Sequence, residues 1–374
     1  MKQAYKNTII TISGEPVSGK GTAVKGLRKY FEDQGYNVVV VSVGHIFRKV
    51  AIEKYKDEHP EIAAPTIEQV SNDPAFADRI KEIDLNLDSY IAQKGKEINS
   101  ESRPNDIYII DSRLAFRNIP DSFSIRLTVD EKVAGQRVFN DETRGEEDKY
   151  DTLEQATEET IKRKKGEIDR YKGIYDVDLT DESNYNLLID TSYAKPEDII
   201  EVITNSLALA KIGEGYSRNW ASPKWFLPLQ GIKETCGFGG LGKGEKEFKA
   251  MLQEEGYDYS KAISVIQVEG YYYIIEGHHR NFCANQIGMS LVPYEVIAKD
   301  DEVIPGYKNT TAKDRVYNFL RSGRYLSGYV YDHEPFFDEK DEKGNIIKPF
   351  YYTDIYGKYP EIPEAYIEKE DEAR

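Results

Sequence analysis

At 374 residues, with 39% hydrophobic and 31% charged side chains, the chain has a folded, globular composition and length for about two domains. Its formal charge of −16 argues against a broad basic surface that tracks nucleic-acid phosphates, yet allows a local basic pocket for a small anion. The two cysteines, Cys236 and Cys283, exclude a disulfide framework or a Cys-rich zinc module and fit a reducing cytoplasm.

The first 210 residues alternate short apolar runs with helical patterns, which predicts an α/β unit around a parallel sheet. Strands are expected at 7–13, 37–43, 106–112, 123–129 and 185–191. Each is nearly all apolar in its middle, as strands buried on both faces must be. Helices are expected from Gly21 to Gln34 and from Lys195 to Leu209. No run is apolar enough to span a bilayer, so no membrane partner is expected and the cytoplasm is the predicted compartment.

Directly after the first strand comes "GEPVSGKGT". Gly14, Ser18, Gly19, Lys20, Gly21 and Thr22 fall between strand and helix. Small residues there let backbone N–H groups turn inward around an anion, and the helix N-terminus adds its positive end. Lys20 supplies a point charge for the β- and γ-phosphates of ATP, and the Thr22 hydroxyl is placed to hold Mg²⁺. The competing reading, a glycine-rich turn without a ligand, leaves the register of strand, lysine and helix unexplained. Gly21 stands where Ser or Thr more commonly follows the lysine, and this "GKGT" form is the one found in nucleoside-monophosphate kinases.

The third strand ends in Asp111, followed by Ser112 and Arg113. A carboxylate and a guanidinium beyond one strand end suit a polar, phosphorylated acceptor. Further on, Arg137, Arg144, Arg163, Lys164 and Arg170 stud a helical stretch, with Arg163 and Arg170 on one face. In phosphoryl transfer such arginines neutralise developing charge; the alternative is a solvated charged helix.

Residues 7–209 resemble the cytidylate kinases collinearly, through "ISGEPVSGKGT", "VSVGHIFRKVA", "DRIKEIDLNLDSYI", "IDSRLAF", "ETIKRKKGEIDRYKGIYDVDL" and "YNLLIDTS". The resemblance implies a P-loop kinase that uses ATP and Mg²⁺ on a CMP-like nucleotide. It implies that Arg48, Asp84, Asp111 and Arg113 line the monophosphate site, with Arg137, Arg163 and Arg170 as catalytic lid residues beside Lys20. Ser112 and Phe116 replace glycines usual in the family, which reshapes the acceptor pocket and leaves the base open.

A break at 211–231 separates a second segment, with a hairpin at 262–268 and 271–276, a helix from Arg280 to Ile287 and a strand at 291–297. Between hairpin and helix stands "EGHHR": Glu276, Gly277, His278, His279 and Arg280. Adjacent histidines point apart, and no Cys or further His lies at supporting spacing, so zinc fits poorly. A phosphate cradle fits better: Gly277 permits the turn, the histidines and Arg280 offer donors, and Glu276 accepts a hydroxyl or acts as a base. The alternative is a capped helix start. The box is similar to that of ParB/sulfiredoxin-like proteins; the cysteine that sulfiredoxins keep before their His-Arg pair is replaced by His278. "CGFGGLGKGEKEF" (236–248) reads as a flexible glycine loop near that site.

The expected order is therefore a P-loop parallel-sheet kinase domain at 1–212, a smaller α+β ParB/sulfiredoxin-like domain at 213–305, and an acidic, aromatic extension at 306–374 packed on it. The expected function is ATP/Mg²⁺-dependent phosphoryl transfer to a CMP-like nucleotide. The alternatives are a bifunctional or tailoring small-molecule kinase with "EGHHR" as a second catalytic unit, and a nucleotide-gated, non-enzymatic ParB-like binding protein. Nucleic acid is not an expected partner.

Overall fold

A computed structural model describes residues 8–62, 64–65, 67–100, 105–141, 150–229, 244–321, 337–340 and 346–350. Arg144 and most of the 236–248 glycine loop lie outside these residues. The chain divides into two units at Glu214/Gly215.

The first unit runs β1 (Thr8–Gly14), α1 (Lys20–Asp33), β2 (Asn37–Ser42), α2 (Val43–Glu58), α3 (Ile67–Asn72), α4 (Ala77–Ser100), β3 (Asp106–Asp111), α5 (Ala115–Asn118), β4 (Phe123–Thr128), α6 (Glu131–Phe139), α7 (Leu153–Tyr175), β5 (Leu187–Asp190) and α8 (Pro196–Ile212). Its strands pair in the order β2-β3-β1-β4-β5, and every pairing is parallel. Parallel neighbours require crossovers, and the intervening helices supply them. All seven residues of the central strand β1 are buried, which is why its sequence is apolar without alternation. The register matters for function: Ile12 and Ser42 both pair with Asp111, so the ends of β1, β2 and β3 reach the same sheet edge. That edge is where open parallel sheets bind their ligands.

The second unit runs β6 (Asn219–Ala221), β7 (Phe226–Pro228), α9 (Glu245–Glu255), β8 (Ile263–Val268), β9 (Tyr271–Glu276), α10 (His278–Gln286), β10 (Val292–Lys299), α11 (Ala312–Arg321) and the short hairpin β11 (Phe337–Lys340) and β12 (Ile346–Phe350). Its mixed sheet follows the order β6-β10-β8-β9-β7, with β8–β9 and β10–β6 antiparallel and β10–β8 and β7–β9 parallel. Strand alternation divides two cores. Ile263 and Val265 pack with Phe248, Leu252, Cys283 and Ala284, whereas Ile266 and Val268 pack with Val316, Tyr317 and Leu320. Glu269 and Gly270, both at positive φ, make the two-residue turn between β8 and β9.

The helix expected to start at Arg280 begins two residues earlier, at His278, because Gly277 at φ 98 serves as its N-cap. The strand expected at 291–297 runs from Val292 to Lys299.

Candidate active site

The phosphate loop is built by two unusual backbone conformations. Gly19 caps α1 in the left-handed region at φ 76, a conformation that glycine adopts without steric cost. Val17 stands at φ 63, where a β-branched side chain is strained. Gly14 is required by close approach: a Cβ there would meet Ser18 Oγ at 2.7 Å and the Leu127 carbonyl oxygen at 3.1 Å. Ser18 is buried, and its hydroxyl has no hydrogen-bond partner. Gly21 and Thr22 are exposed on the first turn of α1, and no side chain caps that helix. An uncapped helix start, a backbone cradle and an orphaned hydroxyl are together what the phosphates of a nucleotide would satisfy.

Lys20, the first residue of α1, lies 2.5 Å from Asp111 Oδ1, and Asp111 also accepts a 2.8 Å hydrogen bond from Ser42. Burial, and then the nearby Arg113 charge, hold the Lys20 amine below its ordinary pKa, against the pull of Asp111. Arg113 reaches α7, where its Nε and NH2 donate to the two Glu167 oxygens at 3.0 and 3.1 Å. Burial would raise the Glu167 pKa, but this bidentate pair outweighs it and keeps the carboxyl low. Arg163 stands 3.9 Å from Glu167 and is more than half exposed, so its guanidinium is available to a ligand.

One turn on, Arg170 lies 3.8 Å from Asp84 on α4, donates to the Tyr171 hydroxyl at 3.2 Å and sits over the Tyr171 and Phe47 rings. Asp84 is buried with one oxygen unpartnered, and burial pushes its carboxyl up to about 6. Residues from five elements thus converge: Lys20 of α1, Asp111 and Arg113 at the end of β3, Asp84 of α4, Phe47 of α2, and Arg163, Glu167 and Arg170 of α7.

Two expected members stand apart. Arg137 is not grouped with the lid arginines. At the end of α6 it donates to the carbonyl oxygens of Val17 at 3.1 Å, Thr191 at 2.6 Å and Ser192 at 3.3 Å. Its donors are used to tie the phosphate loop to the end of β5. Arg48 is exposed on α2 and makes no ion pair among the described residues. Glu167 and Tyr171 were missed by sequence reasoning. Their signal was spacing, since Glu167 follows Arg163 by four residues and Tyr171 follows Glu167 by four, one face of a helix.

In the second unit, the "EGHHR" residues border a cleft of about 510 Å³. Phe248, Met251 and Ile275 give it apolar walls. The donor role expected of His278 from sequence is not met at Nε2. His278 is buried, and its Nε2 accepts from the Leu229 backbone N–H at 3.2 Å. Burial drives its pKa down to about 3, so the ring is neutral. His279 is half-buried and also shifted down by burial. Arg280 donates to the Ala262 carbonyl at 3.2 Å, yet its buried Nε has no partner, and the buried Tyr257 hydroxyl beside it is likewise unpartnered. Glu276 is exposed, 3.9 Å from Arg280.

The parallel β2-β3-β1-β4-β5 sheet, with a lysine-bearing phosphate loop after its central strand, defines a P-loop kinase fold. A cytidylate kinase of Methanocella arvoryzae is 34% identical over 199 residues, spanning 53% of this chain and 96% of that protein. A cytidylate kinase of Methanosarcina barkeri is 27% identical over 197 residues, 52% of this chain and 93% of that protein. The chain belongs to the cytidylate kinase family, and the shared stretch is about half its length. A family model described as chromatin associated protein KTI12 matches residues 8–69, which contain the phosphate loop. A shikimate kinase structure from Bacteroides thetaiotaomicron covers 54% of this chain and 98% of its own at 11% identity, with a TM-score of 0.33 that adds nothing to the fold read from the strand order.

Proposed function

We propose that the first unit transfers the γ-phosphoryl group of ATP to a CMP-like nucleoside monophosphate. The observation that carries this reading is the pairing of Lys20 with Asp111 at the mouth of the phosphate loop, next to the Arg113–Glu167–Arg163 cluster on α7. An ionised phosphate acceptor needs no general base, so catalysis reduces to positioning and neutralisation of charge. When bound, MgATP would supply the transferable phosphoryl group and a cation that neutralises its charge. The cradle of Gly14, Ser18, Gly19 and Gly21 would hold the phosphates, Thr22 would hold the magnesium, and Lys20 would exchange Asp111 for phosphate oxygen. Arg113 and Arg163 would carry charge to the acceptor side, and Asp84 with Arg170 would orient the acceptor. Arg48, exposed on α2, would meet the acceptor from solvent. Arg137 would act through the loop backbone it holds.

ADP release measured with CMP, dCMP, UMP, AMP and GMP tests this reading. The expected result is highest kcat/KM with a cytidine monophosphate. No turnover with any pyrimidine nucleotide, alongside intact ATP binding, would overturn it.

A second reading concerns the other unit: a ParB/sulfiredoxin-like domain that binds a nucleotide or another phosphorylated small molecule, making the chain a bifunctional or tailoring kinase. The cleft, with the unpartnered Arg280 Nε and Tyr257 hydroxyl on its wall, favours it. Equilibrium dialysis of ATP and CTP against Lys20→Ala and Lys20→Ala/Arg280→Ala chains tests it. Retention by the first and loss by the second is expected; no retention by the first counts against the reading.

A further inference from the structure

Glu15 is a nearly buried carboxylate that the reaction described above leaves unused. It is the second residue of "GEPVSGKGT", inside the loop whose purpose is to hold an anion, where an uncompensated carboxylate would repel phosphate. Its side chain is only 9% exposed. Three donors converge on it. Arg126 NH2 of β4 reaches Oε1 at 3.3 Å, the Val129 backbone N–H reaches Oε2 at 3.3 Å, and Lys164 Nζ of α7 reaches Oε2 at 3.2 Å. Arg126 is buried and lies over the Tyr185 ring.

Lys164 is the informative partner. It precedes Glu167 by three residues on α7, so one helix face offers a cation to the phosphate loop and an anion to Arg113. The two ion pairs flank a void of about 10 Å³ lined by Gly14, Glu15, Arg113, Lys164 and Glu167, space for one water at most. The helix bearing Arg163 and Arg170 is therefore fastened to the nucleotide side by two pairs of opposite polarity. Arg113–Glu167 places the anion on α7, and Glu15–Lys164 places the anion in the loop.

We propose that Glu15 is a counter-anion built into the phosphate loop. It holds Lys164, and with it the arginine-bearing helix α7, against the loop, and it sets how tightly the loop binds nucleotide phosphate. Removing it takes the nearer carboxylate from Arg126 and Lys164 and leaves Lys164 only Glu131, 3.8 Å away, so net positive charge rises beside the phosphates, whereas removing Lys164 leaves the Glu15 carboxylate less compensated. Glu15 is a positioning residue in this scheme, which rests on the kinase reading of the first unit for its consequences in turnover but not for its effect on ATP affinity.

Calorimetric titration of MgATP into the full chain tests the proposal, with thermal unfolding of each variant recorded alongside. Glu15→Gln should bind ATP about tenfold more tightly and Lys164→Met about tenfold more weakly, with Glu15→Gln/Lys164→Met returning to within about threefold of the parent. Lys164→Arg should stay within about threefold as well. In steady state, Glu15→Gln should lower kcat with CMP about tenfold while its KM for ATP falls, a split that simple loss of structure would not produce. If both single variants shift ATP affinity in the same direction, or Lys164→Met leaves it unchanged, the proposal is wrong. A parent chain that binds ATP but phosphorylates no nucleotide overturns the acceptor reading alone, because the signs of the affinity changes still decide the role of Glu15. A parent chain that binds no ATP overturns both.

Discussion

Replacing Asp84 with Asn should make the first unit more stable and less active at once. Burial lifts the Asp84 carboxyl from 3.8 to about 6, Arg170 pulls against that shift, and Asp88 adds to it. The difference of about 2 units, at 1.36 kcal/mol each, means that keeping Asp84 ionised costs the folded state about 3 kcal/mol. The sign follows from the raised folded pKa. The folded state holds the proton more tightly, so the cost is absent below about pH 4, grows from there to about pH 6, and is complete above that. Asn removes the charge, and the Arg170 contact at 3.8 Å that goes with it is already counted in that net shift. Asp84→Asn should therefore gain about 3 kcal/mol at pH 7.5 and less than about 1 kcal/mol at pH 4. Urea unfolding at both pH values measures this, with CMP turnover followed in the same preparations and expected to fall at least about tenfold. A variant that is less stable at pH 7.5, or whose gain does not change with pH, would refute the assignment of a strained, ionised carboxylate at this position.

Other perturbations read different parts of the molecule. Glu167→Gln leaves the nearly buried Arg113 without its charged partner and should cost about 3 kcal/mol in denaturant unfolding, together with most of the turnover. Val17→Gly relieves a β-branched residue at φ 63 and should raise stability by about 1 kcal/mol, with ATP affinity within about threefold of the parent in titration. The folded His278 pKa of about 3 lies below the ordinary 6.5, so stability is full above about pH 6.5 and declines as pH falls from there towards 3. His278→Gln, which keeps an acceptor for the Leu229 N–H, should flatten that decline in a circular-dichroism titration of the second unit.

The nucleotide loop was legible because its chemistry is local. Strand β1, the glycines, Lys20 and the start of α1 are contiguous, and their conformations follow from residue type. Strands β1, β3, β4 and β5 were legible because burial on both faces leaves a plain apolar run, and the edge strand β2, only partly buried, carries a similar run of valines. What escaped was nonlocal. Glu15 meets Arg126 across 111 residues and Arg113 meets Glu167 across 54, and no periodicity announces either pair. Arg137 is a lid residue by resemblance, but its partners are carbonyl oxygens, which carry no sequence signal. In the second unit, β6 and β7 are three residues each, too short for alternation to show. The start of the acidic stretch after residue 306 hid the amphipathic α11, whose Val316, Tyr317 and Leu320 belong to a core. Its charged residues drew attention from the apolar ones spaced three and four apart. His278 looked like a ligand donor because neighbouring polar residues share one loop, whereas its Nε2 faces inward and accepts from the Leu229 backbone.

The central claim is that the Lys20 loop and the α7 arginines move a phosphoryl group onto a pyrimidine monophosphate. Incubating the full chain with γ-³²P-labelled ATP, Mg²⁺ and CMP, and resolving the nucleotides, tests that claim most directly. Label appearing in CDP, and absent with Lys20→Ala, is the predicted result. Label passing only to water or remaining in ATP, across CMP, dCMP and UMP, would contradict it.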